Sequence, residues 1–379
     1  MKILFLFPHF IQPGGAANVV TKFARGLQEK NHTVKILCAR ASRDFLEQNK
    51  ELSIIQLKIP TSNSISYWML FPFWQNKINK ELAKHEDCIL FPHVLPSNWW
   101  AWLYKKNNKN QKVVWYCHEP SAFIHSKDWI NAIKNPLMRM GAKLLNPILR
   151  KIDISLEKNN DIVICNSNFT ANQYEKAYKK SSNFVVHPPL NIKKVKPEKE
   201  KLNYFFTISR LTKFKNIDTI INAFERISQK YPDYKLIIAG EGEEKEKLQK
   251  LVKDKKLNDK IKFLGKVSDN KLSDLYKKAI ATIIASKNEP FGLVPIESMM
   301  HGTPVIAHNS GGPKETVTKE KTGYLYNNQD GLEKYIKKII KMDKNNFLNM
   351  QRLATRETKK YDELKTINKL EKIINNFSQ

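Results

Sequence analysis

The sequence has little cysteine, little arginine and no long apolar run, and each shortage excludes a class of protein. Its 379 residues include four cysteines with no C-x-x-C pair, which excludes zinc ribbons and disulfide frameworks and favours buried, reduced thiols. Lysine and arginine together number 65, but only nine are arginine, the residue that nucleic-acid readers enrich. The longest apolar run, 65–74, is about half of the ~18 residues that a membrane-spanning helix needs.

The charge is strongly one-sided, with a formal net charge of +28. Apolar residues make up 41% of the chain, which is enough for a folded core. At an ordinary size of about 150 residues per domain, the length predicts two domains. A non-catalytic nucleic-acid-binding protein is one alternative for so basic a chain, and the excess of lysine over arginine argues against it.

Short apolar runs alternate with amphipathic segments in two successive series, which predicts an α/β protein with two doubly wound parallel sheets. The predicted strands are 3–7, 33–38, 53–57, 88–91, 112–117 and 161–165, then 204–209, 235–239, 262–264, 281–285 and 304–307. We expect a first domain at 1–192 and a second at 193–355, with 193–199 as the linker. The last segment, 356–379, is expected to be a helix that crosses back onto the first domain.

The strongest chemical motif is Glu-x7-Glu, formed by Glu289 and Glu297 on either side of a Pro-Phe-Gly sequence. A loop carries Glu289 and a helix is expected to begin near Pro295, so both carboxylates can face one ligand. Carboxylates accept hydrogen bonds from paired hydroxyls such as those of sugars. Three backbone amides approach the helix N-terminus, where an anion is favoured: those of Phe291, Gly292 and Leu293.

This motif resembles the signature of the retaining glycosyltransferases of family 4, and the segments 301–307 and 311–315 match its continuation. Further blocks match in the family's order; they are 165–170, 187–189, 209–216, 236–242 and 263–265. The resemblance covers residues 1–326. It implies the GT-B fold, in which two Rossmann-like domains face a central cleft, with the acceptor on the first domain and the nucleotide sugar on the second.

The resemblance also implies roles for individual residues. Arg210 and Lys215 would neutralise the donor diphosphate, Glu297 would hold the ribose hydroxyls, and Glu289 would hold the transferred sugar. Gly265 ends a strand that flanks the nucleotide base. Many transferases use a divalent metal held by Asp-x-Asp, and the sequence contains no Asp-x-Asp. We therefore expect no metal and no cofactor besides the donor substrate.

In the first domain, Gly14 and Gly15 follow the first predicted strand and open a helix, where glycine lets backbone amides approach a phosphate. A tight turn gives the same pattern, and the resemblance places the pair over the diphosphate or the acceptor. His118 ends another predicted strand and matches a histidine that lines the family's cleft. His9 follows the first strand and is equally compatible with the cleft and with the core.

Two aromatic stretches, 65–74 and 98–104, precede an amphipathic segment at 129–151. Aromatic residues beside lysines suit an anionic bilayer interface, although an aromatic core with a solvated lysine face has the same pattern. We expect peripheral membrane binding in which three tryptophans insert and two lysines meet phosphates: Trp99, Trp100 and Trp102, with Lys105 and Lys106.

These features predict a hexosyltransferase that moves a sugar from a nucleotide-diphosphate donor to an acceptor hydroxyl with retention. The Ser-Gly-Gly-Pro at 310–313 resembles mannosyltransferases of lipid-linked oligosaccharide assembly, which favours GDP-mannose over a UDP-sugar and a lipid-linked acceptor. A glycogen-synthase-like or sucrose-type enzyme with a soluble acceptor is the alternative. We expect a cytoplasmic protein, peripheral on the cytoplasmic face of a membrane, that binds no nucleic acid.

Overall fold

The apolar runs of the sequence form parallel strands in the computed structural model, which describes residues 1–11, 14–59, 65–131, 133, 135–192, 198 and 200–378. Met1–Leu190 and Glu363–Gln379 make up a first unit, and Asn191–Asp362 a second. The second unit passes position 355 because its last long helix continues to Thr358 with Ala354 fully buried. The expected linker, 193–199, lies outside the described residues except at 198 and carries no structural account.

The first unit contains parallel strands in the orders β3-β2-β1-β4 and β5-β6-β7, with an isolated parallel bridge between Leu90 and Val113. The strands are β1 Lys2–Phe10, β2 Thr33–Ala41, β3 Ser53–Gln56, β4 Ile89–Pro92, β5 Val114–Cys117, β6 Ile162–Cys165 and β7 Phe184–Val185. The helices are α1 Gly15–Glu29, α2 Arg43–Gln48, α3 Ile65–Leu82, α4 Ser97–Asn107, α5 Ala122–His125, α6 Lys127–Asn131, α7 Pro136–Glu157 and α8 Asn168–Tyr178.

The second unit is a six-stranded parallel sheet in the order β10-β9-β8-β11-β12-β13. Its strands are β8 Tyr204–Ile208, β9 Lys235–Ala239, β10 Ile261–Gly265, β11 Ala281–Ile284, β12 Val305–His308 and β13 Gly323–Tyr326. Its helices are α9 Ile217–Lys230, α10 Lys245–Asp254, α11 Asp269–Lys278, α12 Leu293–Met300, α13 Pro313–Thr316, α14 Gln329–Ile340 and α15 Lys344–Thr358. Two parallel α/β units of this kind are the predicted GT-B architecture.

Helix α1 packs the apolar stripe that its sequence predicts. Along α1, Val20, Phe23 and Leu27 recur at helical spacing and are fully buried in the core beneath β1 and β2. The buried strands are apolar in nearly every position because helices cover both faces of a parallel sheet. Side chains that follow the carboxyl ends of the strands are thereby left for other roles.

The last helix, α16 Glu363–Ser378, belongs to the first unit, although it follows the second in sequence. Ile367, Leu370 and Ile374 are buried in the same core cluster as α1. At Gly26 of α1, a side chain would begin 2.0 Å from the Ile367 Cδ1 atom. Glycine at this position therefore allows the two helices to cross closely.

The expectation that the α4 tryptophans insert into a membrane is wrong. Trp100 and Trp102 are 1% and 0% exposed, because α4 packs against both strands and helices. Trp102 Nε1 donates to Asn160 Oδ1 at 2.7 Å, and Lys105 forms an ion pair with Asp161. For the other aromatic stretch, the side chains of 65–72 lie outside the described part of the chain.

The four cysteines are buried and form no disulfide, as predicted. Among the described residues, no helix combines the length and the apolarity needed to cross a membrane.

Candidate functional site

In the second unit, the loops that follow β8 and β11 meet at the carboxyl edge of the sheet. Lys215, after β8, donates from Nζ to Oε2 of Glu289, after β11, at 2.5 Å. Both side chains are about a quarter exposed, so the ion pair is open to a ligand. Asn216 fastens the same two loops, because its Nδ2 donates to the Ala285 carbonyl at 3.1 Å. The predicted phosphate-binding cation and the predicted sugar-binding carboxylate are therefore direct neighbours.

Two glycines hold the loop that carries Glu289. The Gly312 amide donates to the Glu289 carbonyl at 2.7 Å, and a Cβ on Gly312 would lie 2.1 Å from the Phe291 carbonyl oxygen. Gly311 has φ +68, and a Cβ there would lie 2.5 Å from the Glu289 carbonyl oxygen. The loop after β12 therefore lies flat against the Glu289 loop, which only glycine permits. Ser310 Oγ also accepts from the Asn288 amide at 3.0 Å.

Glu297 lies on α12 and is held by two groups that the sequence did not indicate. Tyr276 Oη donates to Glu297 Oε2 at 3.0 Å, and His301 Nδ1 donates to the Glu297 carbonyl at 2.7 Å. The other nitrogen of His301, Nε2, lies 2.9 Å from Ser273 Oγ. Burial lowers the pKa of His301 and raises that of Tyr276. Both groups therefore stay uncharged beside the carboxylate.

The start of α12 differs from the expectation by two residues. The helix begins at Leu293 rather than near Pro295, and Gly292 is its N-cap with φ +84, a conformation that favours glycine. Phe291 is 3% exposed and packs its ring edge-to-face against Tyr361, with centroids 5.6 Å apart. The Phe291 side chain is therefore part of the core and does not face a ligand.

Arg210 follows β8, and Gly265 is the last residue of β10. Arg210 is exposed, and within the described part of the chain its guanidinium has no hydrogen bond or ion pair. Gly265 has φ +67, and a Cβ on it would lie 2.5 Å from Oε1 of Glu241. Gly240 donates its amide to the Gly265 carbonyl at 2.7 Å. Glycines at this edge therefore let the loops after β9 and β10 pack together.

In the first unit, Gly14 and Gly15 lie at the N-terminus of α1. The helix begins at Gly15 rather than near Ala17, and Gly14 is its N-cap. Both glycines are exposed, and no side chain of the described ranges caps the helix. A Cβ on Gly14 would have no atom within 4 Å. The amides of the first turn are thus open to an anion, although the fold itself does not require glycine at position 14.

His118 follows β5 and pairs with a residue that sequence reasoning missed. Its Nε2 lies 2.9 Å from Nδ1 of His93, which follows the neighbouring strand β4. His93 is fully buried, and its Nε2 has no hydrogen-bond partner among the described residues. Burial lowers the pKa of His118 to about 3 and holds that of His93 well below its usual value. The pair is therefore neutral, and one proton joins the two rings.

His9, expected after the first strand, instead lies within β1; it is partly buried, and its Nδ1 has no partner in the described ranges. Burial lowers its pKa. Across the described residues, no three His, Cys, Asp or Glu side chains form a group that could hold a metal ion.

Two family models match the chain in succession. Residues 13–194 match the model described as Glycosyltransferase Family 4, and residues 190–360 match the model described as Glycosyl transferases group 1. Together they cover residues 13–360.

Curated relatives with described activities are similar at low identity. Alpha-1,3/1,6-mannosyltransferase ALG2 of Mus musculus is 26% identical over 382 residues, 89% of this chain and 88% of that protein. The Homo sapiens ALG2 is 27% identical over 249 residues, 59% of this chain and 58% of that protein. GDP-Man:Man(3)GlcNAc(2)-PP-Dol alpha-1,2-mannosyltransferase of Dictyostelium discoideum is 25% identical over 299 residues, 69% of this chain and 58% of that protein.

Among solved structures, Anabaena Alr3699/HepE in complex with UDP-glucose has a TM-score of 0.78. It is 18% identical, and the match covers 99% of this chain and all of that chain. A likeness at this identity establishes the fold.

Proposed function

The chain belongs to the group 1 glycosyltransferases of family 4, and from that premise we propose that it transfers mannose from GDP-mannose to a lipid-linked glycan with retention. That it is a glycosyltransferase follows from the family. The sugar, the base, the acceptor and the stereochemistry are the proposed part. The similarity to the mannosyltransferases ALG2 supports mannose, and the GDP-Man and PP-Dol in the name of the Dictyostelium relative support the donor and the lipid carrier.

The observation that carries the proposal is the ion pair between Lys215 and Glu289. In a nucleotide sugar the hexose is bonded directly to the diphosphate. A site for it therefore needs a cation beside the diphosphate and, close to that cation, a group that accepts hydrogen bonds from the hexose hydroxyls. Lys215 and Glu289 supply these two groups from adjacent loops, 2.5 Å apart. The exposed Arg210 adds a second cation after the same strand as Lys215.

Glu297 has a separate role, because Tyr276 holds one of its oxygens in place. A carboxylate oriented in this way accepts hydrogen bonds from the paired hydroxyls of a ribose. The N-terminus of α12 contributes a partial positive charge beside the phosphates.

In the proposed reaction, the bond between the anomeric carbon and the diphosphate oxygen breaks as the acceptor oxygen bonds to the same face of that carbon. The acceptor proton passes to the departing diphosphate, so no enzyme nucleophile is needed. Arg210 and Lys215 stabilise the negative charge that develops on the diphosphate. His118 orients the acceptor hydroxyl as a neutral hydrogen-bonding group. The proposed reaction uses no metal.

We further propose that the protein works at the cytoplasmic face of a membrane, where a lipid-linked acceptor is found. The net charge of +28 favours attraction to anionic lipid. A soluble acceptor is the alternative, and it predicts full activity in the absence of lipid.

Donor binding separates the roles of the two glutamates. Thermal shift with GDP, UDP, GDP-mannose and UDP-glucose at one common concentration should show the largest stabilisation with the guanosine ligands. At 100 times the dissociation constant of GDP, the free energy of unfolding should rise by about 2.7 kcal/mol with GDP. Glu297→Ala should weaken binding of GDP itself. Glu289→Ala should leave GDP binding nearly intact and lower turnover, because this carboxylate contacts the sugar. Equal loss of GDP affinity in both variants would contradict the assignment.

Turnover measurements test the role of the cations at the diphosphate. Arg210→Ala should lower turnover by at least ~10²-fold, because a preorganised cation is lost at the leaving group. Lys334→Ala changes an exposed lysine elsewhere in the second unit and should leave turnover unchanged. EDTA should have no effect on the unaltered protein, and a requirement for added magnesium or manganese would overturn the metal-free reaction.

A further inference from the structure

Helix α7 exposes a continuous apolar stripe. Leu137, Leu144 and Ile148 recur at helical spacing and are 74%, 70% and 57% exposed. The remaining exposed apolar side chains of the helix are Met138, Met140, Leu145 and Ile152. On the neighbouring α6, Trp129 is 46% exposed and contacts Phe123 edge-to-face. We call these residues the α6–α7 surface. An apolar stripe of this size is rare on a protein surface that nothing covers.

The charges of α7 are divided along its length. Residues 136–152 contain four cations and no acid: Arg139, Lys143, Arg150 and Lys151. The acids of the helix, Asp153 and Glu157, come later and are 0% and 2% exposed. The first part of α7, 136–152, is therefore apolar and cationic without any carboxylate.

Buried hydrogen bonds fix the rotation of α7 about its own axis. Asp153 accepts from Trp99 Nε1 at 2.5 Å and from Tyr178 Oη at 2.6 Å, and it lies 2.8 Å from His125 Nε2. Glu157 accepts from Tyr174 Oη one turn later. These partners come from α4, α5 and α8. Turning the stripe inward would break all of these bonds, so the exposed stripe is a fixed feature of the first unit.

We propose that the α6–α7 surface docks on an anionic lipid bilayer, with its apolar side chains among the acyl chains and its cations on lipid phosphates. This inference rests on the proposed function, in which the acceptor is held at a membrane, and it names the surface that does the holding. A bilayer offers both an apolar layer and a dense array of negative charge.

Vesicle co-sedimentation without any sugar nucleotide tests the docking. The unaltered protein should bind vesicles of phosphatidylcholine mixed with phosphatidylglycerol, bind phosphatidylcholine alone more weakly, and lose binding as salt rises. The triple variant Leu137→Ser, Leu144→Ser, Ile148→Ser should bind at least about tenfold more weakly. Arg139→Gln with Lys143→Gln should reduce binding to the anionic vesicles and leave the weaker binding to neutral ones.

Matched controls change equally exposed side chains elsewhere. Leu202→Ser with Leu364→Ser removes leucines that are 56% and 63% exposed and should leave vesicle binding unchanged. Lys334→Gln with Lys341→Gln serves as the control for charge. All variants should keep the thermal stability of the unaltered protein, because no altered side chain is buried.

Three results would overturn the proposal: no vesicle binding by the unaltered protein, equal loss in the triple variant and its control, or a dimer in sedimentation velocity that the triple variant dissolves. Failure of the proposed function is a separate result, because it appears as absent donor binding while vesicle binding persists.

Discussion

His118, which orients the acceptor hydroxyl in the proposed reaction, is joined to His93 by one hydrogen bond. His118 and His93 are joined through Nε2 and Nδ1 at 2.9 Å, and burial lowers the pKa of His118 to about 3. An imidazole with so low a pKa is a weak proton acceptor at neutral pH. This favours the departing diphosphate as the proton acceptor and leaves His118 to orient the acceptor hydroxyl. His93, held by the buried aromatic rings around it, sets the position of His118.

The pH dependence of His118→Asn tests this assignment. The folded pKa lies below the unfolded value of 6.5, so the free energy of unfolding should fall as pH drops from about 6.5 toward about 3. The variant should show a shallower fall in urea titrations, because one group that protonates only on unfolding is gone. Its turnover should be lower at every pH, with an unchanged profile shape near neutrality.

A rate profile with an acid limb near pH 6.5 that His118→Asn removes would show instead that His118 titrates during catalysis. His93→Asn adds a further readout: it should raise the KM for the acceptor more than it lowers kcat, because it acts by positioning.

At the scale of single elements, α4 and α7 both combine large apolar side chains with lysines, but α4 is buried and α7 is exposed. Trp100 and Trp102 lie two residues apart, so both can be buried only in a helix that is covered on more than one side. The sequence pattern of α4 fits an interface helix equally well, because composition does not report which elements pack around it. The stripe of α7 is periodic. It is exposed because the buried Asp153 and Glu157, through their hydrogen bonds, fix which side of the helix faces the core.

Stability separates these two helices. Trp102→Ala should lower the free energy of unfolding by about 3–5 kcal/mol, because it leaves a cavity beside Trp115 and removes the donor to Asn160. Trp129→Ala changes an exposed side chain of α6. It should lower the free energy of unfolding by less than about 1 kcal/mol and weaken vesicle binding. Urea unfolding followed by far-UV circular dichroism measures both. A stable Trp102→Ala variant with impaired vesicle binding would restore α4 as the membrane contact.

Across the whole molecule, periodicity predicted both parallel sheets and missed two strands. β7 has only two residues, and β13 opens with Gly323, which is typical of a turn. That glycine is required in the sheet because a Cβ would lie 1.9 Å from the Val305 carbonyl oxygen. Such close approaches between distant segments leave no trace in local sequence.

The candidate site was predictable where a motif carried it and unpredictable where a partner came from another element. Glu289 and Glu297 came from the Glu-x7-Glu motif and Lys215 from the resemblance. Glu289 and Lys215 follow strands, and Glu297 lies on a helix, as expected. Tyr276 and His93 were missed, because a buried tyrosine and a buried histidine in apolar surroundings have no distinguishing pattern. Only the fold brings them within hydrogen-bond distance of Glu297 and His118.

The return of α16 to the first unit makes that unit depend on the end of the chain. Removing residues 363–379 should lower the melting temperature of the first unit. Burial of Ile367, Leu370 and Ile374 contributes about 1.5–3 kcal/mol each to its free energy of unfolding. Nucleotide binding by the second unit should persist. Calorimetry with and without GDP measures the two effects, and Leu364→Ser is the control for a change that only alters the surface of α16. Equal melting of the truncated and full chains would contradict this role.

The path of the chain through α16 also dictates the order in which the protein can be finished on the ribosome. The Glu363 amide donates to the Leu190 carbonyl at 2.9 Å, so the nascent chain leaves the first unit and re-enters it at one point. Everything between these residues must be translated first, which takes on the order of 10 to 30 seconds. Throughout that interval the apolar surface of α1 that α16 covers is exposed to solvent. The part of the protein that is made first is therefore the last to be completed.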